Sequence, residues 1–574
     1  MENIKVLDSI NKKINNIVIP YYINIDTNTK LIDYLNNYIN IELNSSNKKL
    51  IKEIERKVVD SNNPISLYIT LDKTNYHLFI IPIILDKDTI KLLSSKTISG
   101  EIGEILDVVR ICGAELVSTL DNNNILSINI GLTNNFKEII NTRLNDAFLE
   151  GLLLNLYTFD KYKTDKTDKT DKNELETINL IYPNKNKEHI KRQQNLVNNL
   201  IVKIKSVYLA RDLVNEPANI LTTDEFIRVI RAFIKLHEIP VDIEVWDKTR
   251  LNKENMNLLV SVGEGSSKES QSKLLIIKYS PTKNINNKII NKSVSSKKTI
   301  KSIPSKMKTN KKSIKNRLSM FKFKSEQQNH KNNYPDYVLI GKGVLFDTGG
   351  INLKPGSDMN EMKSDMAGAA IIASFILGHA KLNKSSSIVG LIPLAENNLG
   401  KGATRPGDVI VSHSGKTVEI IDTDAEGRLL LADCLSYANK KYTKSKVIDI
   451  ATLTGHQSEL SCKLFSNVIS QHSKFVEAIV NAGNYISESI VEMPYIKKYR
   501  KFLESEVADI RNISTTCGSD IMTSSIFLSE FIDNDKTWAH IDIAGTSWDM
   551  SDEIPYAPGE GSGVGVRLLF QLIN

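Results

Sequence analysis

One stretch constrains the fold more than any other. An apolar run from Val338 to Ile340 leads into Gly341-Lys342-Gly343 and ends in Asp347, ahead of Thr348 and two glycines. This reads as a buried strand that delivers its tip, and the acid on it, to a site. A second run, Asp422 to Leu429 (Asp-Thr-Asp-Ala-Glu-Gly-Arg-Leu), places Asp424, Glu426 and Arg428 two apart. An extended chain would aim all three side chains toward one face, clustering two carboxylates beside a guanidinium.

Downstream of the first run come Lys354 and then Met362-Lys363-Ser364-Asp365-Met366, followed by Ala-Gly-Ala-Ala, the expected start of a buried helix with Asp365 near its N-terminus. If Asp347, Asp365, Asp424 and Glu426 converge, four negative charges share a small volume. Ionised carboxylates are not held so close without cations. Two divalent ions would cancel them, and hard oxygen ligands with no Cys or His nearby in sequence suit Mg, Mn, Co or Zn.

With 574 residues the chain is longer than one core usually serves, so two domains are expected. Met1 to about Asp160 alternates short apolar runs, His77–Leu85 and Ile125–Ile130, with helical patterns such as Phe136–Leu154, an α/β arrangement without a catalytic cluster. The boundaries read as an N-terminal α/β domain over 1–187, a connecting helix over 188–214, and a catalytic domain over 215–574. Pro217 biases the chain out of that helix. Beyond it, apolar strands alternate with helices, as in a mostly parallel sheet covered on both faces.

Two biased tracts interrupt this pattern. Pro281 to Asn333 holds fifteen Lys or Arg against one acid, Glu326, a local charge of +14; the formal total is +7, so the rest carries +7 − 14 = −7. It separates the strands Leu274–Tyr279 and Tyr337–Phe346 and reads as a disordered insertion over 281–333. Its functional alternative is docking on nucleic acid, although Phe321 and Phe323 make a thin stacking platform. The Lys-Thr-Asp repeat at 163–172 lies between Leu156–Tyr162 and Thr177–Tyr182, both read as strands, and so is expected to be a solvated hairpin loop. Cys112, Cys434, Cys462 and Cys517 are scattered without ligand spacing, which fits a reduced interior. Met1–Ile10 lacks an apolar targeting core, and no stretch approaches a membrane span.

The run Asp422–Leu429 resembles the signature of the cytosolic, two-metal leucyl aminopeptidases, with Asp422 in place of a leading Asn. Five further stretches agree in order: Arg211–Asn219, Gly341–Pro355, Met362–Ala370, Gly390–Asp408 and Ala451–Gly455. The resemblance is clear from about Arg211 onward and faint before it. It implies a smaller N-terminal α/β domain and a larger catalytic one. It places one metal between Asp347, Asp424 and Glu426 and another among Lys342, Asp347, Asp365 and Glu426. Two dications repel and need shared negative charge between them, which bridging Asp347 and Glu426 would supply. Lys342 would coordinate only as the neutral amine, its pKa pushed down by burial and the dications.

The resemblance further implies a water activated between two Zn or Mn ions (Mg or Co as alternatives), Lys354 polarising the scissile carbonyl, and Arg428 holding a bicarbonate ion that shuttles protons. Met362, Thr452, Leu453 and Gly455, with Met359 beside them, match the substrate pocket for leucine-like residues. Short peptides with a free N-terminus, a homohexamer and a cytoplasmic location follow from the same likeness. The chain departs from the family at Asp422, at Ala367 where glycine is usual, at His456, and at Thr523-Ser524-Ser525, which would make the pocket wall more polar. His540 and Asp542 match a structural late strand, and Gly559–Gly565 a tail leading to the last helix rather than a phosphate loop. Two alternatives stand beside the peptidase: nucleic-acid binding through the insertion, and a two-metal phosphoesterase.

Overall fold

The structure, a computed structural model, describes residues 4–11, 13–24, 65–71, 74–95, 98–164, 175–183, 186–281, 334–557 and 559–573, with a few positions between 30 and 56. The basic insertion and most of the Lys-Thr-Asp repeat lie outside the described residues.

The N-terminal part is built on six strands: β1 (Ile4–Leu7), β2 (Asn16–Asn24), β3 (Ile65–Leu71), β4 (Thr74–Leu85), β5 (Ser127–Gly131) and β6 (Thr177–Ile181). Their order is β1-β6-β5-β2-β4-β3, and every pairing is parallel except the β3–β4 hairpin. Parallel strands need covering helices. The helix Gly100–Asn122 supplies one, burying Leu106, Val109, Leu116, Val117 and Leu120 at spacings of three, four and seven, and it packs on the helix Glu138–Asn155.

Leu156–Tyr162 is not a strand. Leu156 caps the preceding helix, and Tyr157 turns inward, its hydroxyl donating to Asp212 at 2.9 Å and its ring edge-on to Tyr208. The aromatic residues that suggested a strand pack on the helix Lys187–Asn215 instead. The second flank is β6, but it pairs in parallel with β1 and β5, so no hairpin spans the repeat.

The second sheet takes β7 (Asp242–Trp246), β8 (Lys273–Tyr279), β9 (Tyr337–Gly341), β10 (Gly343–Asp347), β11 (Ile388–Asn397), β14 (Lys446–Ala451), β15 (Ser466–Ile469), β16 (Ile490–Glu492) and β18 (Trp538–Asp542); β12 (Val409–Val411), β13 (Thr417–Glu419) and β17 (Ile510–Arg511) form a small sheet of their own. The main order is β16-β15-β18-β14-β9-β11-β8-β7, with β10 also paired to β11. Most pairings are parallel; β15–β18, β11–β8 and β7–β8 are antiparallel. β8 and β9, consecutive in the chain, are held apart by β11. The expected single strand Tyr337–Phe346 breaks at Lys342, whose backbone leaves the β9 ladder to bond Ile450 O and the first turn of the next helix.

Alternate residues of the central strands feed opposite cores. Leu339, Ile448 and Ile450 pack beneath the helix Ala367–Lys381, which is buried on every side from Ala367 to Ala380; Val338, Ile340 and Val447 pack beneath the helix Gly427–Lys441. The first of these cores runs without a break into that of the N-terminal sheet. Arg211, on the helix Lys187–Asn215, fastens the junction by donating to Leu154 O, Tyr556 O and Ser562 O at 2.8–2.9 Å. Among the described residues no helix is long and apolar enough to cross a membrane, and all four cysteines are free.

Candidate active site

The carboxyl ends of β9, β10 and β14 converge on one cavity of about 340 Å³, the usual place for a ligand in a sheet of this kind. Two helices, Ala367–Lys381 and Gly427–Lys441, begin at its floor, and their N-terminal dipoles favour negative charge there. All eleven expected site residues line it: Lys342, Asp347, Lys354, Met362, Asp365, Asp424, Glu426, Arg428, Thr452, Leu453 and Gly455. Met359 does not. Asp422–Arg428 is a turn entering a helix rather than an extended strand, with Glu426 at the helix start. Asp424 and Glu426 still meet, whereas Arg428 lines the same cavity but is paired with Asp520 rather than with those two carboxylates.

Asp347, Asp424 and Glu426 each present an oxygen within 4.8 Å of the others. Lys342 Nζ lies 2.8 Å from Asp365 Oδ1 and 2.9 Å from Glu426 Oε1, and donates to Thr452 O at 2.7 Å. Lys354 Nζ lies 2.8 Å from Asp347 Oδ2 and 2.5 Å from Asp424 Oδ1. Lys342, Asp347 and Glu426 are 2–3% exposed, whereas the Lys354 and Asp424 side chains reach 24% and 32%, so the cluster opens on their side.

Local sequence explains these positions. Gly349 holds φ +85° two residues after Asp347, a conformation that favours glycine, and a side chain there would strike Asn352 O. Its N–H and the Asn397 amide donate to Asp347 Oδ1 at 2.9 and 2.8 Å, orienting the carboxylate. Gly427 leaves room for Lys342, since a Cβ would stand 2.5 Å from Lys342 Cε. Asp422 Oδ1 accepts from Asp424 N at 2.8 Å, a bond that an Asn oxygen makes equally well, so the departure from the family signature keeps the turn.

Four carboxylates against two ammonium groups leave an excess of negative charge. Burial, then the charges of Asp347 and Glu426, push Asp424 up to about 7 against the pull of Lys354. Burial raises Asp365 well above the usual carboxylate range although Lys342 opposes it, and raises Glu426 with help from Asp347. For Lys342 burial works against the charged form, but Asp365, Glu426 and Asp347 outweigh it and hold the proton on. Lys354 is held up likewise, chiefly by Asp347.

Around the cluster, Asp542 receives Leu453 N at 3.1 Å and Thr454 Oγ1 at 2.8 Å, fixing the loop after β14; His540 and Trp538 both bond Asp449. Thr523, Ser524 and Ser525 lie buried in the helix Asp520–Ser529 with their hydroxyls bonded to its own carbonyls, so they do not make the pocket wall polar. His456 is exposed outside the cavity. Two charged lining residues escaped sequence reading: Glu361, and Asp520, whose Oδ1 accepts from Arg428 Nη2 at 2.7 Å while Nη1 donates to Asn512 O at 3.0 Å.

Residues 208–297 and 293–570 match the model of the cytosol aminopeptidase family, catalytic domain. A probable cytosol aminopeptidase of Wolbachia pipientis wMel is 33% identical over 427 residues, 74% of this chain and 73% of that protein. One from Rickettsia bellii is 31% identical over 498 residues, 86% of this chain and 87% of the relative. Among solved structures, the bottromycin maturation enzyme BotP in complex with Mn shares the fold at a TM-score of 0.70, with 22% identity across 97% of this chain and 98% of its own. A matching catalytic-domain model over more than half the chain, and relatives above 30% identity along most of it, place the carboxylate cavity in known company: the chain belongs to the cytosol aminopeptidase family, whose members are metal-dependent aminopeptidases.

Proposed function

We propose that the protein removes the N-terminal residue of short peptides, preferring leucine and other apolar side chains, with two divalent cations held in the carboxylate cavity. One observation carries this: four carboxylates and two lysines meet in a cavity at the carboxyl end of the sheet, with negative charge in excess. The donor set fits such ions. Asp365 Oδ2 is buried without a partner among the described residues, and three other carboxylates already offer oxygens to a common point. Asp347, Asp424 and Glu426 would hold one cation, and Lys342, Asp347, Asp365 and Glu426 the other, with Lys342 neutral once the cations take over its role. Zinc or manganese suits these donors, and manganese accompanies the BotP fold relative. Bound, the ions would supply Lewis acidity and a more acidic water.

The chain's own residues do the rest. Freed from Asp347 and Asp424, the Lys354 ammonium would face the scissile carbonyl and stabilise the oxyanion that forms on it. The anionic floor suits a free N-terminal amine and gives a blocked peptide nothing to pair with. Met362, Thr452, Leu453 and Gly455 form the wall facing the first side chain, where a flexible thioether accepts leucine-like shapes. A two-metal phosphoesterase would share such a carboxylate cluster; the match to the cytosol aminopeptidase family is what favours the peptidase. The resemblance extends to a cytoplasmic homohexamer; sedimentation at six times the 64.4 kDa chain mass tests the assembly. The activity is tested by hydrolysis of leucine amide with added manganese or zinc and its loss to a chelator; silence with every divalent metal would refute it.

A further inference from the structure

We propose that the cavity where the N-terminal helices meet the catalytic half binds a free apolar α-amino acid, with its ammonium on Asp146, its carboxylate on Arg143 and Lys203, and its side chain on the apolar wall. The cavity shares no lining residue with the carboxylate site, and the binding goes beyond the aminopeptidase reading without resting on it. Its volume is about 510 Å³, and it lies between the helices Glu138–Asn155, Lys187–Asn215 and Val566–Leu572. Small-molecule sites favour such volumes and such domain junctions.

Most of the charges on its wall are already paired. Arg110 and Arg567 both reach Glu150, and Arg192 lies 2.7 Å from Glu138. Three are not. Among the described residues no donor bonds the Asp146 carboxyl, and neither Arg143 nor Lys203 has a carboxylate at ion-pair distance. Both cations are held off the acid: Arg143 donates from Nη1 to Leu93 O at 2.7 Å and lies over the Tyr485 ring, and Lys203 lies over the Phe570 ring. Asp146 feels Lys203 without being satisfied by it, since burial outweighs that lysine and pushes the carboxyl up to about 7. A buried carboxyl in this state gains from an ammonium group brought against it. The Nε–H and Nη2–H of Arg143 stay free among the described residues, a two-pronged face that fits a carboxylate.

Spacing sets the class of ligand. Arg143 and Asp146 are three residues apart on one helix, so their Cβ atoms lie about 5–6 Å from each other. An α-amino acid carries its ammonium and its carboxylate on one carbon and can meet both, whereas a dipeptide parts the two by a further residue. Leu106, Ile139, Leu200, Ile486 and Phe570 line the remainder and would take an aliphatic side chain out of water. A simple anion such as phosphate would satisfy the two cations and leave Asp146 as it is. A simple amine would do the opposite.

The test is equilibrium dialysis of radiolabelled leucine against the zinc-loaded full chain, with leucine hydroxamate occupying the metal site. The hydroxamate carries no carboxylate and so leaves the junction open. Wild type is expected to bind one leucine per chain with a dissociation constant at or below about 1 mM. Lys203→Met and Asp146→Asn should each weaken that binding roughly tenfold or more, the scale of a hydrogen bond to a charged group, with leucine amide hydrolysis unchanged. On wild type, N-acetylleucine, isopentylamine and inorganic phosphate each lack part of the pattern and should displace the label poorly. A wild type that binds no leucine at about 10 mM, variants that bind as wild type does, or displacement by any of the three compounds as strong as by leucine overturns the proposal. Should a variant fail to fold, the displacement series on wild type decides. None of these readings requires peptidase activity, so a protein silent with every divalent metal would strike the aminopeptidase reading and leave this one standing.

Discussion

Two buried clusters of charge in this molecule are built from similar parts, yet Glu150 in one and Asp424 in the other are tuned in opposite directions. At the junction of the two sheets, Arg110 and Arg567 meet Glu150 and Glu488, with Asp107 also on Arg110: Arg110 Nε lies 2.6 Å from Glu150 Oε2, Arg110 Nη1 3.3 Å from Asp107 Oδ1, Arg567 Nη2 3.1 Å from Glu150 Oε2, and Arg567 Nη1 3.5 Å from Glu488 Oε1. Burial works against the Glu150 charge, but Arg567 and Arg110 outweigh it and hold that carboxyl down to about 2. In the cavity, four carboxylates face two lysines, and burial with mutual repulsion lifts Asp424 to about 7. A cluster whose acids are paired with guanidiniums is satisfied from within and holds the fold together. An unbalanced one stores a demand for cations, which is what a metal site needs before metal arrives.

The contrast breaks most decisively at Glu426. Glu426→Gln removes an anion from the excess, so activity should fall at least roughly a thousandfold, on the scale of the several kcal/mol a Lewis acid supplies. Bound metal should fall too. Yet the metal-free protein should unfold at the same urea concentration or a higher one, because repulsion has been relieved. Glu150→Ala should do the reverse. It takes from two buried guanidiniums the carboxylate they share, leaving Asp107 on Arg110 and Glu488 on Arg567, and should cost about 3 kcal/mol of stability, read as a lower urea midpoint, while kcat per folded molecule stays within about twofold. Equal destabilisation at both sites would erase the distinction.

Lys354→Met tests the exposed edge of the excess. Losing an oxyanion-stabilising donor should lower kcat by roughly a hundredfold to a thousandfold with a small change in KM. Metal content should hold or rise, since Lys354 competes with cations for Asp347 and Asp424.

Much of the cavity was legible because its parts are local. Asp347 before two glycines, Asp365 before a run of small residues, and Asp424 with Glu426 in one short turn each announce a carboxylate at the end of an element, and the apolar alternation after Arg211 announces the sheet that gathers them. What stayed hidden depended on tertiary pairing. Leu156–Tyr162 has the composition of a strand, but its aromatic residues found the helix Lys187–Asn215 before any ladder. Nothing around Lys342 shows that β9 hands over to β10 there, because the break is made by bonds to Ile450 and Ala369 from elsewhere in the chain. Asp520 sits in a polar stretch, Ser514–Asp520, and an acid in a helix's first turn reads as an ordinary helix start; its partner Arg428 lies 92 residues away.

Beside the guanidinium-paired cluster one acid lacks a guanidinium, and it sharpens the comparison at the smallest scale. Asp146 lines the same junction cavity as Arg110, Glu150 and Arg567. Burial pushes it up to about 7; Lys203 opposes this, and Glu150 adds to it. The folded state therefore holds a proton on Asp146 that the unfolded chain gives up near the ordinary value of 3.8. The stability that proton brings is complete below that value and is lost as pH rises through about 7. Asp146→Asn keeps the shape without the titration, so its melting temperature relative to wild type should rise between pH 5 and pH 8. Glu150 runs the other way: its depressed carboxyl contributes stability above about 4.5 that is lost as pH falls toward 2. Melting curves of Asp146→Asn that track wild type at both pH values would show that Asp146 is held ionised as the guanidinium-paired acids are.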